Sequence, residues 1–280
     1  MSLKGKTLFI TGGSRGIGLA IAERAARDGA NVTIAAKTVE PDARLAGTIH
    51  TAVAAIEKAG GCGLAVRCDI REEELVQRAV AETVERFGGI DIVVNNASAI
   101  QLTGTLDTTM KRFDLMHGVD VRGTFLTGRY CIPHLKKAVN PHILTISPPL
   151  EMQAKWFAPH VGYSIAKYGM SLCTLGWAEE FKTEGIAANS LWPRTSIATA
   201  AVGMIGGDPM IAASRKPDIM ADAAYYIVTQ PSRAFTGRFC IDDVVLYEAG
   251  VRDFSQYAAV PGATQFYPDI FLPDESPDVG

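Results

Sequence analysis

The run Thr7-Leu-Phe-Ile-Thr-Gly-Gly-Ser-Arg-Gly-Ile-Gly18 constrains this chain more than any other stretch. Leu8, Phe9 and Ile10 are a short apolar run of the kind found in a strand buried on both faces. Glycines at 12, 16 and 18 then turn the chain into Leu19-Ala-Ile-Ala-Glu-Arg-Ala-Ala, which reads as a helix. Glycine accepts the positive φ of a tight turn and lets backbone approach a ligand closely. The unpaired N–H groups that open such a helix attract an anion. The spacing is Gly-x-x-x-Gly-x-Gly rather than the standard Gly-x-Gly-x-x-Gly, so on its own it points to nucleotide binding and no further.

Downstream, strand and helix patterns alternate. Strands are expected at Asn31–Ala36, Leu64–Cys68, Asp91–Val94, His142–Ile146, Ile186–Leu191 and Arg238–Asp242. Helices are expected at Thr48–Ala59, Glu72–Phe87, Asp107–Gly118, Arg122–Lys137, Tyr163–Lys182 and Asp218–Gln230. This alternation predicts an α/β fold: a Rossmann-type, doubly wound parallel sheet with helices on both faces and a ligand at the strands' carboxyl ends. Two regions break the pattern. Residues 197–214 are apolar but interrupted by glycines and a proline, and read equally as a mobile lid or as a short packed helix with a loop. The stretch 251–280 sets Phe254, Tyr257, Phe266, Tyr267 and Phe271 among prolines, and is expected to pack on the domain or on a neighbouring subunit. The expected organisation is one domain over 1–250, lid included, with a C-terminal extension.

The net charge of −3 argues against nucleic acid as a partner, and no apolar run is long enough for a membrane span. The N-terminus lacks a signal-peptide core. Five scattered cysteines without a C-x-x-C pair suit reduced thiols in a cytoplasmic protein and no metal site.

A second anchor is Tyr163-Ser-Ile-Ala-Lys167, which puts a phenol and an ammonium one helical turn apart on one face. An ammonium and a charged nicotinamide beside a tyrosine favour phenolate and bring its proton into range for acid–base work. Together with the glycine run and Asn95-Asn-Ala97, in this order, the pattern resembles the short-chain dehydrogenase/reductase superfamily to about residue 243. Segments such as Ala35-Ala-Lys-Thr38, Ile146-Ser-Pro-Pro-Leu150 and Leu191-Trp-Pro193 narrow the likeness to its hydroxysteroid dehydrogenase-like branch. Some members of that branch append a sterol-carrier-like domain, and this sequence ends before one.

The resemblance implies a role for each matching residue. Gly12, Ser14, Arg15, Gly16, Ile17 and Gly18 would cradle the cofactor's pyrophosphate. Asp69 would contact the adenine, while Asn95 and Ala97 would line the nucleotide floor. Tyr163 would be the general acid/base, and Lys167 would hold the nicotinamide ribose and lower the tyrosine pKa. Pro193 and the Ile197 amide would contact the carboxamide. Three positions depart from the superfamily's pattern: Asp120 where Asn is usual, Ser98 for Gly, and Pro148 in the register of the catalytic serine. Ser147 would polarise the substrate oxygen only if its loop is re-shaped, and Asp120 would either enter the proton relay or pair with Lys167.

An NAD enzyme of this fold presents an acid at the end of its second strand. Here that position is Ala36, followed by Lys37, and Arg15 sits within the glycine loop. NADP is therefore the expected cofactor. The function expected from these features is an NADP-dependent oxidoreductase acting on a carbonyl/hydroxyl pair of a small apolar steroid, lipid or acyl substrate. Met204, Met210, Trp156, Phe157 and Trp192 read equally as the apolar surroundings of such a substrate or as core residues, and a homo-oligomer, dimer or tetramer, is expected. Two rivals are a nucleotide-binding sensor or scaffold with weak or no turnover, and an enoyl-thioester reductase.

Overall fold

The computed structural model describes residues 1–42, 46–274 and 279. The end of the tail, at 275–278 and 280, lies outside the described residues, as do positions 43–45 in the polar connection after the second strand. Seven strands form one sheet: β1 (Thr7–Thr11), β2 (Asn31–Ala36), β3 (Cys62–Arg67), β4 (Ile92–Asn95), β5 (His142–Thr145), β6 (Ala187–Trp192) and β7 (Phe239–Ile241). Their order is β3-β2-β1-β4-β5-β6-β7, and every neighbouring pair is parallel. The order reverses between β1 and β4, the switch point at which ligands of such sheets bind.

The period-2 alternation of each strand divides the core. Leu8 and Ile10 of β1, Ile92 and Val94 of β4, and Leu144 of β5 pack into one apolar layer. Phe9, Val93 and Ile143, one residue out of step, pack into the layer on the other face. The helices α1 (Gly16–Ala26) and α2 (Ile49–Lys58) cover the first face. On the second lie α3 (Glu73–Phe87) and the helix that runs from α4 (Met110–Met116) through a π-helical turn (His117–Gly123) into α5 (Thr124–Leu135). Because strands buried on both sides carry apolar residues at every position, their sequence is a plain hydrophobic run.

Two short helices were not expected, α6 (Ala154–Phe157) and the last one, which directly follows β7. The long α7 (Val161–Glu180) carries Tyr163 and Lys167. Residues 197–214 contain a helix, α8 (Ala200–Ala212), kinked where Gly207 has φ 63°, and none of its side chains is buried. It is followed by α9 (Asp218–Thr229) and α10 (Asp242–Glu248). The tail folds back onto the domain: Phe254 and Tyr257 join the first core layer, while Phe271 is fully buried in a third cluster beside the site. No helix of the described residues is long and apolar enough to cross a membrane.

Candidate active site

A cavity of about 500 Å³ opens at the carboxyl end of the sheet, running from the glycine loop past α7 to the tail. Its nucleotide end is mostly backbone. Gly12 and Gly16 have φ of 68° and 58° and line the cavity with Ser14, Arg15 and Ile17. A Cβ at Gly12 would stand 2.8 Å from the Cα of Ala97, so no larger residue fits there. Among the described residues, the N-cap residue of α1, Arg15, makes no side-chain capping hydrogen bond, which leaves the helix's first N–H groups to an anion. Thr11 ties this loop to the β4 end: its Oγ1 accepts from both the Asn96 and Ala97 N–H groups at 3.1 Å. Asn96 Nδ2 in turn donates to the carbonyls of Thr11 and Gly12 at 3.0 and 3.1 Å.

Two residues expected against the nucleotide stand elsewhere. Asn95 is the last residue of β4 and is buried, so the cavity wall is formed instead by its neighbour Asn96, followed by Ala97. Gly18 lies behind the loop, where a Cβ would meet Asn96 Nδ2 at 2.5 Å and Gly13 Cα at 2.9 Å. Its smallness serves the packing of helix on loop, not contact with a ligand.

At the adenosine end, Arg71 holds Asp69 with Nε–Oδ1 and Nη2–Oδ2 hydrogen bonds of 3.0 and 2.6 Å, and Lys37 Nζ stands 3.8 Å from Oδ2. The Arg71 hydrogen bond keeps the Asp69 carboxyl below its ordinary range. Arg15 donates to the carbonyls of Ala46 and Gly47 at 2.9 and 2.7 Å. Carbonyls are neutral, so the guanidinium keeps its net charge at the cavity edge.

At the other end, Tyr163 and Lys167 both face the cavity from α7, with Ile146, Trp192, Pro193 and Ile197 around them. Lys167 is buried and donates to the Ile146 carbonyl at 2.7 Å. Burial pushes its pKa down, against the pull of the Asp120 and Asp269 carboxylates. For Tyr163, burial works against the lowering that the lysine and a charged nicotinamide would bring. Burial raises its pKa well above 10, and the charges of Asp120 and Asp269 add to the rise. Desolvation thus favours the neutral phenol over the phenolate.

Asp120 is fully buried in the π-helical turn, where its Oδ1 accepts the Ala99 N–H at 2.8 Å. Burial pushes its pKa up to about 6, opposed by Lys167. It stands behind the cavity wall and reaches the site through Lys167 and Tyr163. Ser147 is also fully buried and does not line the cavity. β5 ends at Thr145, Ile146 faces the cavity, and the next side chain turns inward; the re-shaped loop that Ser147 would need does not form.

The expected apolar surroundings divide in the same way. Met204 and Trp192 line the cavity, together with Thr199 and Val202 of the α8 segment. Trp156 and Phe157 instead pack around the tail, and Met210 lies away from the cavity. Sequence reasoning missed Asp269, which lines the cavity from the tail; Phe271, one of the aromatics expected to pack, anchors that segment. Nothing in Pro268-Asp-Ile-Phe-Leu-Pro273 has a helical or strand period that would mark it as part of a site.

The model of the short chain dehydrogenase family matches residues 6–205. Hydroxysteroid dehydrogenase-like protein 2 of Danio rerio is 56% identical over 99% of this chain and 66% of its own length. For the Rattus norvegicus protein of that name the identity is again 56%, over 52% of its length. The chain thus spans between about half and two thirds of these curated relatives. Among solved structures, a protein from Xanthomonas campestris described as a dehydrogenase is 58% identical with a TM-score of 0.95, covering 98% of this chain and 100% of that one. A short chain dehydrogenase of Mycobacterium thermoresistibile is 53% identical at a TM-score of 0.93, covering 99% and 98%. The chain belongs to the short chain dehydrogenase family, in a branch shared with the hydroxysteroid dehydrogenase-like proteins.

Proposed function

We propose that this protein is an NADP(H)-dependent oxidoreductase acting on a carbonyl/hydroxyl pair of an apolar substrate, with Tyr163 as the acid/base. One observation carries the reading: Tyr163 and Lys167 face the same cavity whose far end is the glycine loop and the uncapped start of α1. The loop would hold the pyrophosphate, Asp69 the adenine, Lys167 the nicotinamide ribose, and Pro193 with the Ile197 amide the carboxamide. When bound, the nicotinamide supplies or accepts a hydride. The chain's own residues handle the proton. Tyr163, held as a phenol, has a proton to give to a carbonyl oxygen, which favours the reductive direction.

The cofactor preference rests on charge at the adenosine end. β2 ends at Ala36 without an acid to grip a ribose 2′-hydroxyl, and Lys37 and Arg15 flank that place. The Asp69 charge is balanced locally by Arg71, so a phosphate dianion would meet two cations. Leu115, Val119, Trp192 and Met204 make the opposite end apolar, in keeping with a steroid, lipid or acyl substrate.

Tyr163→Phe is expected to lower ketone reduction by roughly 10²–10⁴-fold, with cofactor affinity unchanged. A variant that keeps wild-type turnover would sink the assignment. Calorimetric titration of both cofactors tests the other half: NAD(H) binding as tightly as NADP(H) would overturn it. The second reading, a nucleotide-binding protein with little turnover, draws on the burial of Ser147. Absence of NADPH oxidation across ketones and enoyl thioesters would favour it.

A further inference from the structure

The tail between Tyr267 and Phe271 is held as firmly as a strand. Ser196 N donates to Tyr267 O at 2.8 Å, Asp269 N to Arg194 O at 2.9 Å, and Trp192 Nε1 to Ile270 O at 2.8 Å. The Phe271 ring then plugs an aromatic cluster, with centroids 5.4 Å from Tyr168, 5.8 Å from His160 and 6.1 Å from Tyr163. The segment places Asp269 on the cavity wall with Tyr163, Lys167 and Trp192. Its Oδ1 accepts the Ile270 N–H at 2.7 Å, which orients the carboxyl group. On the β5 side, where a hydroxyl donor would be needed, the chain has Pro148 and a Ser147 that is sealed off. We propose that Asp269, in its protonated form, is the second hydrogen-bond donor to the substrate oxygen beside Tyr163, in place of the serine.

The inference rests on the reading of Tyr163 given above. A neutral carboxylic acid donates a hydrogen bond and a carboxylate cannot. The charged and titratable groups that bear on which form is present are Lys167 and Tyr163 from α7 and Asp242 from α10. Burial pushes Asp269 up to about 7, Asp242 adds to the rise, and the Ile270 N–H and Lys167 oppose it. A substantial fraction therefore carries its proton near neutrality. In the reduction, hydride adds to the carbonyl carbon, the C=O π pair moves to oxygen, and that oxygen takes the Tyr163 proton. Asp269 keeps its own proton and only stabilises the developing charge, so the step balances with the nicotinamide as reductant.

The test compares Asp269→Leu, Asp269→Asn and Tyr163→Phe in the full chain. Three quantities are read: NADPH oxidation with aryl and steroid ketones, cofactor affinity by calorimetry, and Tyr163 ionisation by tyrosinate absorbance with Tyr163→Phe as blank. Leu is expected to cost roughly 10²-fold in kcat, with cofactor affinity unchanged. Asn keeps an N–H donor, so it should retain most activity and abolish the fall in rate as pH rises through about 7. Loss of the carboxylate should lower the Tyr163 midpoint by roughly one pH unit in both variants. The proposal is overturned if Leu matches wild type, if Asn is as impaired as Leu, or if the Tyr163 midpoint stays put. Tyr163→Phe separates the failures: if it stays active, the acid/base reading itself falls; if it is dead while Leu is fully active, only the role of Asp269 falls. Where no ketone is turned over, the midpoint alone decides.

Discussion

At the nucleotide end the cavity is built around the backbone of the glycine loop, Gly12 and Ser14 to Ile17, braced by Thr11 and Asn96, with Lys37 and Asp69 farther along. At the substrate end the wall is side chains from separate segments, among them Val119 of the π-helical turn, Ile146 after β5, Tyr163 and Lys167 on α7, Trp192 on β6, Met204 on α8 and Asp269 on the tail. The first arrangement depends on the absence of side chains, the second on their placement. A backbone cradle tolerates little variation, because a Cβ has nowhere to go. A wall of side chains can be rebuilt one residue at a time.

The difference can be broken at four points, from the largest effect downward. Phe271→Ala should cost about 3–5 kcal/mol of stability, since it empties a fully buried aromatic site. In thermal denaturation the substrate end should loosen first, with cofactor affinity falling later; equal loss at both ends would mean that the two are not independent. Arg15→Ala and Lys37→Ala act on the nucleotide end alone. Each should weaken NADP(H) by about 1.5–3 kcal/mol and leave NAD(H) nearly unchanged in calorimetry. Loss of affinity for both cofactors alike would place these cations in loop structure instead.

Asp120→Asn probes the substrate end from behind. The folded-state pKa of Asp120 is raised to about 6 from 3.8, so ionising this carboxyl costs stability as pH rises through that window. The Asn variant should therefore gain in Tm at neutral pH relative to wild type, and the gain should shrink as pH falls through 6 toward 4. Turnover at neutral pH should be kept or raised; a large loss with folding intact would give the carboxylate a role of its own. Ser147→Ala is the smallest change. Its hydroxyl is sealed from the cavity, so turnover should fall far less than the roughly 10²-fold cost of losing an oxyanion donor. A full 10²-fold loss would bring Ser147 back to the substrate.

The nucleotide end was legible because its signals are local. Leu8–Ile10, the three glycines and the following helix pattern lie within one strand–turn–helix unit, where spacing alone dictates geometry. The seven strands followed from hydrophobic runs too short for helices, and Tyr163 with Lys167 from the helical period. Within that unit, though, spacing did not separate ligand contact from packing. Gly18 and Asn95 matched the motif and turned out to fill space behind the wall, while Asn96 took the wall itself.

What only the tertiary structure decided lies where distant segments meet. Asp269 is more than a hundred residues from Tyr163, and no periodicity links the two; the Phe271 plug and the hydrogen bonds to Arg194 and Trp192 bring them together. The inward turn of Ser147 depends on how the chain leaves β5, and sequence fixes no such direction for a residue between a strand end and a proline pair. The state of Tyr163 was decided the same way. A neighbouring lysine and a charged nicotinamide lower a tyrosine pKa, but the burial and the two carboxylates that work against them arise only when the sheet, α7 and the tail close around one cavity.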